Sequence, residues 1–221
     1  MTVQKDSRNK THIICILDSS GSMSSMINEA IEGFNQFLEE QKAEAGRATL
    51  TTALFDSPGS YQQIYSFSSL EEVDNITDQQ WYPRGMTALY DAIGRTIHAD
   101  LKAIEELKAE DSPDKVLVVI ITDGLENSSQ EFTKKKIMEL TDEMKKKNWQ
   151  FMYLGANQDA FAEGGAIGVA AGNTWSYRPD DMLSGKFFTQ VSRSVGKFRK
   201  LDVDSEDYKT ESENLMGDDE V

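Results

Sequence analysis

The chain has 221 residues, enough for one well-packed domain and little more. It carries 38 acidic against 23 basic residues, a formal net charge of −15, so it is set against nucleic-acid phosphates. A single cysteine, Cys15, and two histidines exclude an intramolecular disulfide and a Cys/His metal cluster.

Short apolar runs alternate with helical patterns along the chain. Residues 12–17 read as a buried strand, with Cys15 as a small hydrophobe inside it. A helix over about 24–45 follows, its buried face marked by Ile27, Ile31, Phe34 and Leu38 at helical spacing. Residues 47–55 and 61–67 read as two strands joined as a hairpin through "DSPGS", where Pro and Gly favour reversal. After a polar segment with a helical turn at 70–73, a helix begins at Ala88, striped by Leu89, Ile93, Ile97, Leu101 and Ile104. "KVLVVIITDG" (115–124) is the clearest buried strand, β-branched and almost continuously apolar. A helix over 132–147, a strand over 149–155, a short helix over 156–168, a strand over 173–177 and a helix from Pro179 to about 198 complete the pattern.

This alternation predicts an α/β sandwich in three layers, a mainly parallel Rossmann-like sheet with helices on both faces. The hairpin supplies one antiparallel edge strand. Residues 1–10 form an N-terminal arm and 11–200 the domain. Residues 201–221 form an acidic tail with nine acids, one lysine and few apolar anchors, expected to be disordered. The N-terminal apolar run is too short for a secretory leader and no segment reaches membrane-spanning length, which predicts a cytoplasmic protein away from membranes.

The chemistry gathers at "IICILDSSGSM". The first apolar run ends on Asp18, and Ser20 and Ser22 follow with Gly21 between them. Ligands of open α/β sheets bind beyond the carboxyl ends of the strands. Asp123 stands at another such end, in "ITDG", and Thr87 just before a helix, in "RGMTALYD". Two carboxylates and three hydroxyls are donors for a hard divalent cation such as Mg2+. Singly, each residue also reads as an ordinary helix cap or loop residue.

The set Asp18-x-Ser20-x-Ser22, a separate Thr87 in "GMT" and Asp123 in "TDG" resembles the metal-ion-dependent adhesion site of von Willebrand factor A (VWA) domains, over roughly residues 10–200. "LGANQDAF" resembles a stretch in stand-alone, disulfide-free bacterial and phage members of that family. The resemblance implies direct binding of Mg2+ (or Mn2+) by Ser20, Ser22 and Thr87, with Asp18 and Asp123 acting mainly through water. It also implies a protein partner whose Asp or Glu side chain completes the coordination. Rim residues that would contact such a partner are Trp81, Tyr82, Arg84, Glu126, Asn127, Asn157, Gln158 and Asp159. Core packing competes with ligand contact for the two aromatic residues.

His12 and His98 have no catalytic partner in the sequence, and the lysine runs at 134–136 and 145–147 read as solvated helix ends. Non-enzymatic interaction is thus the leading expectation. Metal-dependent phosphoryl transfer is the alternative, but the position two residues after Asp18 holds Ser20 where a phosphatase of that pattern needs a general acid. A scaffold with a purely structural metal is a third reading. The tail's carboxylates could also reach the metal site of their own or a neighbouring molecule.

Overall fold

A computed structural model of the chain describes residues 9–156 and 159–217. The elements are β1 (Thr11–Asp18), α1 (Ile27–Ala43), β2 (Ala48–Phe55), β3 (Tyr61–Ser69), α2 (Leu89–Glu105), β4 (Lys115–Thr122), α3 (Lys134–Lys145), β5 (Trp149–Gly155), α4 (Ala160–Ala166), β6 (Thr174–Ser176), α5 (Pro179–Leu183), α6 (Lys186–Lys200) and α7 (Tyr208–Ser212). The sheet order is β3-β2-β1-β4-β5-β6. Every pairing is parallel except β2 with β3, which is antiparallel and puts the hairpin at one edge.

β1 and β4 lie at the centre, and every residue of both is buried. That is why they are continuously apolar rather than alternating: helices cover both faces. Ile13, Cys15 and Leu17 point into a core with Phe34 of α1 and Phe187 and Val191 of α6. Ile14 and Ile16 point into the opposite core, with Leu89, Ile93 and Ile97 of α2 and Ile137 of α3. Burial pushes the Cys15 thiol far above its ordinary range, so it stays protonated and inert.

Three differences from the sequence expectations have local causes. α1 begins at Ile27 because Gly21–Ser25 form a 3-10 turn that carries the serine loop into the helix. The helix expected over 179–198 is two helices, broken at Gly185, whose φ of 73° only glycine adopts readily. The third concerns the chain's ends. Residues 201–217, expected to be a disordered tail, pack onto the domain through Tyr208, Ser212 and Leu215, all buried. At the other end Lys10 donates its backbone N–H to Asp114 (2.7 Å) and Asn9 its side-chain amide to the Arg199 carbonyl (3.0 Å). The folded unit therefore extends beyond 11–200 in both directions. Residues 1–8 and 218–221 of the expected arm and tail lie outside the described residues.

His12 is buried at the far end of β1 from Asp18, 2.8 Å from the Thr49 hydroxyl and 3.4 Å from Asp100. His98 bonds the Gly94 carbonyl within its own helix. Lys134, Lys135 and Lys147 pair with Glu163, Glu139 and Glu143 at the surface. No helix among the described residues is long and apolar enough to cross a membrane.

Candidate metal centre

The strand order turns back between β1 and β4, since β1 connects outward to β2 on one side while β4 leads to β5 on the other. A crevice opens at such a switch point, beyond the carboxyl ends of the two strands. Asp18 is the last residue of β1, and Asp123 immediately follows β4.

Asp18 is fully buried. Its Oδ1 accepts the Ser20 backbone N–H (2.6 Å) and its Oδ2 the Thr122 hydroxyl (2.6 Å). Burial pushes its carboxyl up to about 6, with the nearby Asp123 charge adding to the shift; the bonds from Thr122 and Ser20 oppose it. Burial also raises Asp123, against a bond from Ser22. Among the described residues no lysine, arginine or histidine pairs with either carboxylate.

The hydroxyls connect the two acids. Ser20 Oγ lies 3.0 Å from Ser22 Oγ, which donates to Asp123 Oδ1 at 2.6 Å. Thr87 is buried at the start of α2. A Cβ placed on Gly124 would sit 3.2 Å from Thr87 Oγ1 and 3.7 Å from Ser22 Oγ. Both hydroxyls thus lie beside the bare Cα of Gly124, and these hydrogen bonds and contacts link all five expected residues.

This donor set suits a hard cation. Among the described residues no cluster of three His, Cys, Asp or Glu side chains exists to hold a softer or all-carboxylate site. Octahedral ligands about 2.1 Å from an ion are separated by about 3.0 Å along an edge. The Ser20–Ser22 spacing equals that edge.

The loop bearing Thr87 is latched from two sides. Asn127 Oδ1 accepts the Thr87 N–H (2.9 Å), and the Asn127 N–H bonds the Thr87 carbonyl (3.0 Å). On the other side Arg84 donates Nε to Asp56 (2.9 Å) and Nη2 to Ser60 (2.8 Å), while the Ala88 N–H bonds the Asp56 carbonyl (2.7 Å). Burial alone would raise the Asp56 carboxyl; bonds from the Ser57 N–H, Ser60 and Arg84 hold it below the usual range instead. Gly85 makes the latch sterically possible. Its φ is +68°, and a Cβ there would lie 2.2 Å from Ser57 Oγ. Arg84→Ala should therefore speed amide exchange over residues 82–88 roughly tenfold while the melting temperature stays nearly constant. Hydrogen exchange read by mass spectrometry checks this, and unchanged exchange over the loop would count against the latch.

Of the expected rim, Trp81 is turned inward, while Tyr82, Arg84, Asn127 and Asp159 are exposed. Trp81 is fully buried and donates its indole N–H to the Asp18 carbonyl at 2.9 Å, so it belongs to the core and not to a partner surface. Glu126 accepts the backbone N–H groups of Ser128, Ser129 and Tyr90, and the Ser129 hydroxyl, which fills both its oxygens. Arg84, expected among the rim residues, is already bound to Asp56. Tyr82 is exposed, its ring beneath the Arg84 guanidinium at 4.7 Å. Asp159 is exposed at the start of α4, and Asn157 and Gln158 lie outside the described residues. Thr122, Asp56 and Gly124 were not read from the sequence. The signal for Thr122 was available: it is the one polar residue in the last six of an otherwise apolar strand, next to Asp123.

Six strands in this order, one antiparallel at the edge, with helices on both faces, make a VWA-like three-layer fold. Solved structures similar to it include proximal thread matrix protein 1 (PTMP1) from the mussel byssus, with a TM-score of 0.59 and 13% identity. That match covers 85% of this chain and 46% of the PTMP1 chain, so this chain spans about half the length of its neighbour. Manganese-loaded TRAP protein from Plasmodium vivax matches with a TM-score of 0.55 and 14% identity, over 80% of this chain and 72% of that one. Neither a family model nor a curated protein sequence matches the chain. Likeness at this level of identity establishes the fold.

Proposed function

We propose that this chain is a non-enzymatic interaction module that takes an acidic side chain of a partner protein at a divalent cation, Mg2+ or Mn2+. The observation that carries the reading is the convergence of Asp18, Ser20, Ser22, Thr87 and Asp123 at the switch point, with two carboxylates and, among the described residues, no lysine, arginine or histidine paired with them. Ser20, Ser22 and Thr87 offer neutral oxygens, and Asp18 and Asp123 supply the negative charge and orient water. A cation held mostly by neutral donors keeps enough positive charge to attract one further carboxylate. The manganese in the TRAP structure is in keeping with this reading.

Phosphoryl transfer is less well supported. Both histidines are engaged elsewhere, and no lysine or arginine pairs with the site's acids among the described residues, so Ser20 and Ser22 have no histidine or lysine base. The carboxylate that accepts the Ser22 hydroxyl, Asp123, is assigned to the cation in this reading. Calorimetry of the full chain should give one Mn2+ per chain, lost in Ser20→Ala. Hydrolysis of p-nitrophenyl phosphate should stay at the rate of buffer with Mn2+. Unchanged Mn2+ binding in Ser20→Ala would overturn the metal assignment, and turnover lost in that variant would move the site to the enzyme reading.

A further inference from the structure

The two loops that deliver Thr87 and Asp123 bond inward with their polar side chains. Arg84 is held by Asp56 and Ser60, Glu126 by four donors, and Asn127 by the Thr87 backbone. Beside these bonded polar groups, the same loops expose large apolar side chains. Met86, next to Thr87, is 51% exposed, and Leu125, two residues after Asp123, is 48% exposed. Tyr82 is 45% exposed in the first loop. These are three of the six large exposed hydrophobics among the described residues, and Met86 and Leu125 lie within two residues of Thr87 and Asp123 in the chain.

We infer that the partner's acidic residue is presented between large apolar side chains, which pack on Met86 and Leu125 while the carboxylate meets the cation. The inference rests on the metal reading above and specifies the partner's chemistry. Electrostatics favour it. A chain of net charge −15 repels an acidic partner at long range, so attraction must come from short-range contacts. The rim's one arginine is neutralised by Asp56 and supplies no counter-attraction. Apolar burial is insensitive to that repulsion, and an exposed apolar group beside polar residues marks a contact surface.

The test uses two synthetic peptides, acetyl-Gly-Leu-Glu-Leu-Gly-amide and acetyl-Gly-Ser-Glu-Ser-Gly-amide, titrated into the Mn2+-loaded full chain and followed by NMR. The Leu-flanked peptide should bind about tenfold tighter, as expected for burying two leucine-sized surfaces part-way. The difference should fall to within about twofold in the double variant Met86→Gln/Leu125→Gln. Addition of EDTA should abolish binding of both peptides. Equal affinities, or a preference that survives in the double variant, would overturn the apolar flank and leave the metal reading standing. If Mn2+ does not bind at all, both readings fall together. Leu-peptide binding that persists in EDTA would show an apolar site independent of the carboxylate and overturn the coupling. Sedimentation showing a dimer of the wild-type chain that is lost in the double variant would assign the patch to a second copy and overturn the inference.

Discussion

Asparagine in place of Asp18 is expected to abolish divalent-cation binding and, at the same time, to raise the melting temperature of the metal-free protein. The carboxylate is fully buried, receives hydrogen bonds only from neutral donors and has no cationic partner among the described residues. A buried charge without a partner costs stability even when hydrogen-bonded. The amide is isosteric. Its oxygen would still accept the Ser20 N–H, and its NH2 would meet the Thr122 hydroxyl, which has the Gly124 carbonyl at 2.9 Å as an alternative acceptor. The gain is on the order of 1–3 kcal/mol, or several degrees for a chain of this size. Loss of one of two charges at the proposed cation site should weaken Mn2+ binding on the order of 100-fold or more. Calorimetry and thermal melts in EDTA give both numbers. Retained affinity would remove Asp18 from the site, and a lowered melting temperature would mean that the carboxylate is structural.

The central strands and the two carboxylates at their ends were legible because the sheet is buried on both faces, whereas Ser20, Ser22 and Thr87 were legible from their places ahead of helices. Continuous apolar runs mark β1 and β4 without ambiguity, and a carboxylate that ends such a run stands out. Loop orientation was not legible. Glu126 and Asn127 read as partner contacts in sequence, and core packing and ligand contact compete for Trp81; in the structure each of the three satisfies a backbone group at the start of α2 or the end of β1. Backbone groups near a helix start need partners, and a loop's polar side chains are the nearest supply. Which loop residues do this depends on how two loops distant in sequence approach each other, and no local pattern encodes that. The break at Gly185 illustrates a smaller limit, since a glycine within a helical pattern is tolerated as often as it is decisive.

Removing residues 202–221 is expected to destabilise the fold by about 3–5 kcal/mol, lowering the melting temperature by roughly ten degrees. Composition argues the reverse. The deletion takes away nine acids and one lysine, moving the net charge from −15 to −7 and relieving self-repulsion. Packing outweighs that relief. Tyr208 is buried with its ring centroid 6.5 Å from that of Phe198, and Leu215 is buried in the core shared by α1 and α6. Each such side chain contributes roughly 1.5–3 kcal/mol. Around them the Gln150 amide donates to Ser212 (3.0 Å), the Asn173 amide donates to the Ser212 carbonyl (2.8 Å) and Ser194 donates to the Leu215 carbonyl (3.1 Å). The acids of 202–213 are carried on a segment fastened in this way beside β6 and α6, so for them to occupy the proposed cation site the segment would first have to undock. Three or four anchors dispersed among nine acids read as disorder in sequence because their shared contact surface is formed by β5, the turn before β6, and α6. The double variant Tyr208→Ser/Leu215→Ser separates packing from charge, because it keeps every carboxylate. It should lose nearly as much stability as the deletion. A deletion variant as stable as the full chain would reduce the segment to a solvated appendage, and a stable double variant beside an unstable deletion would assign its role to the hydrogen bonds of the backbone and Ser212.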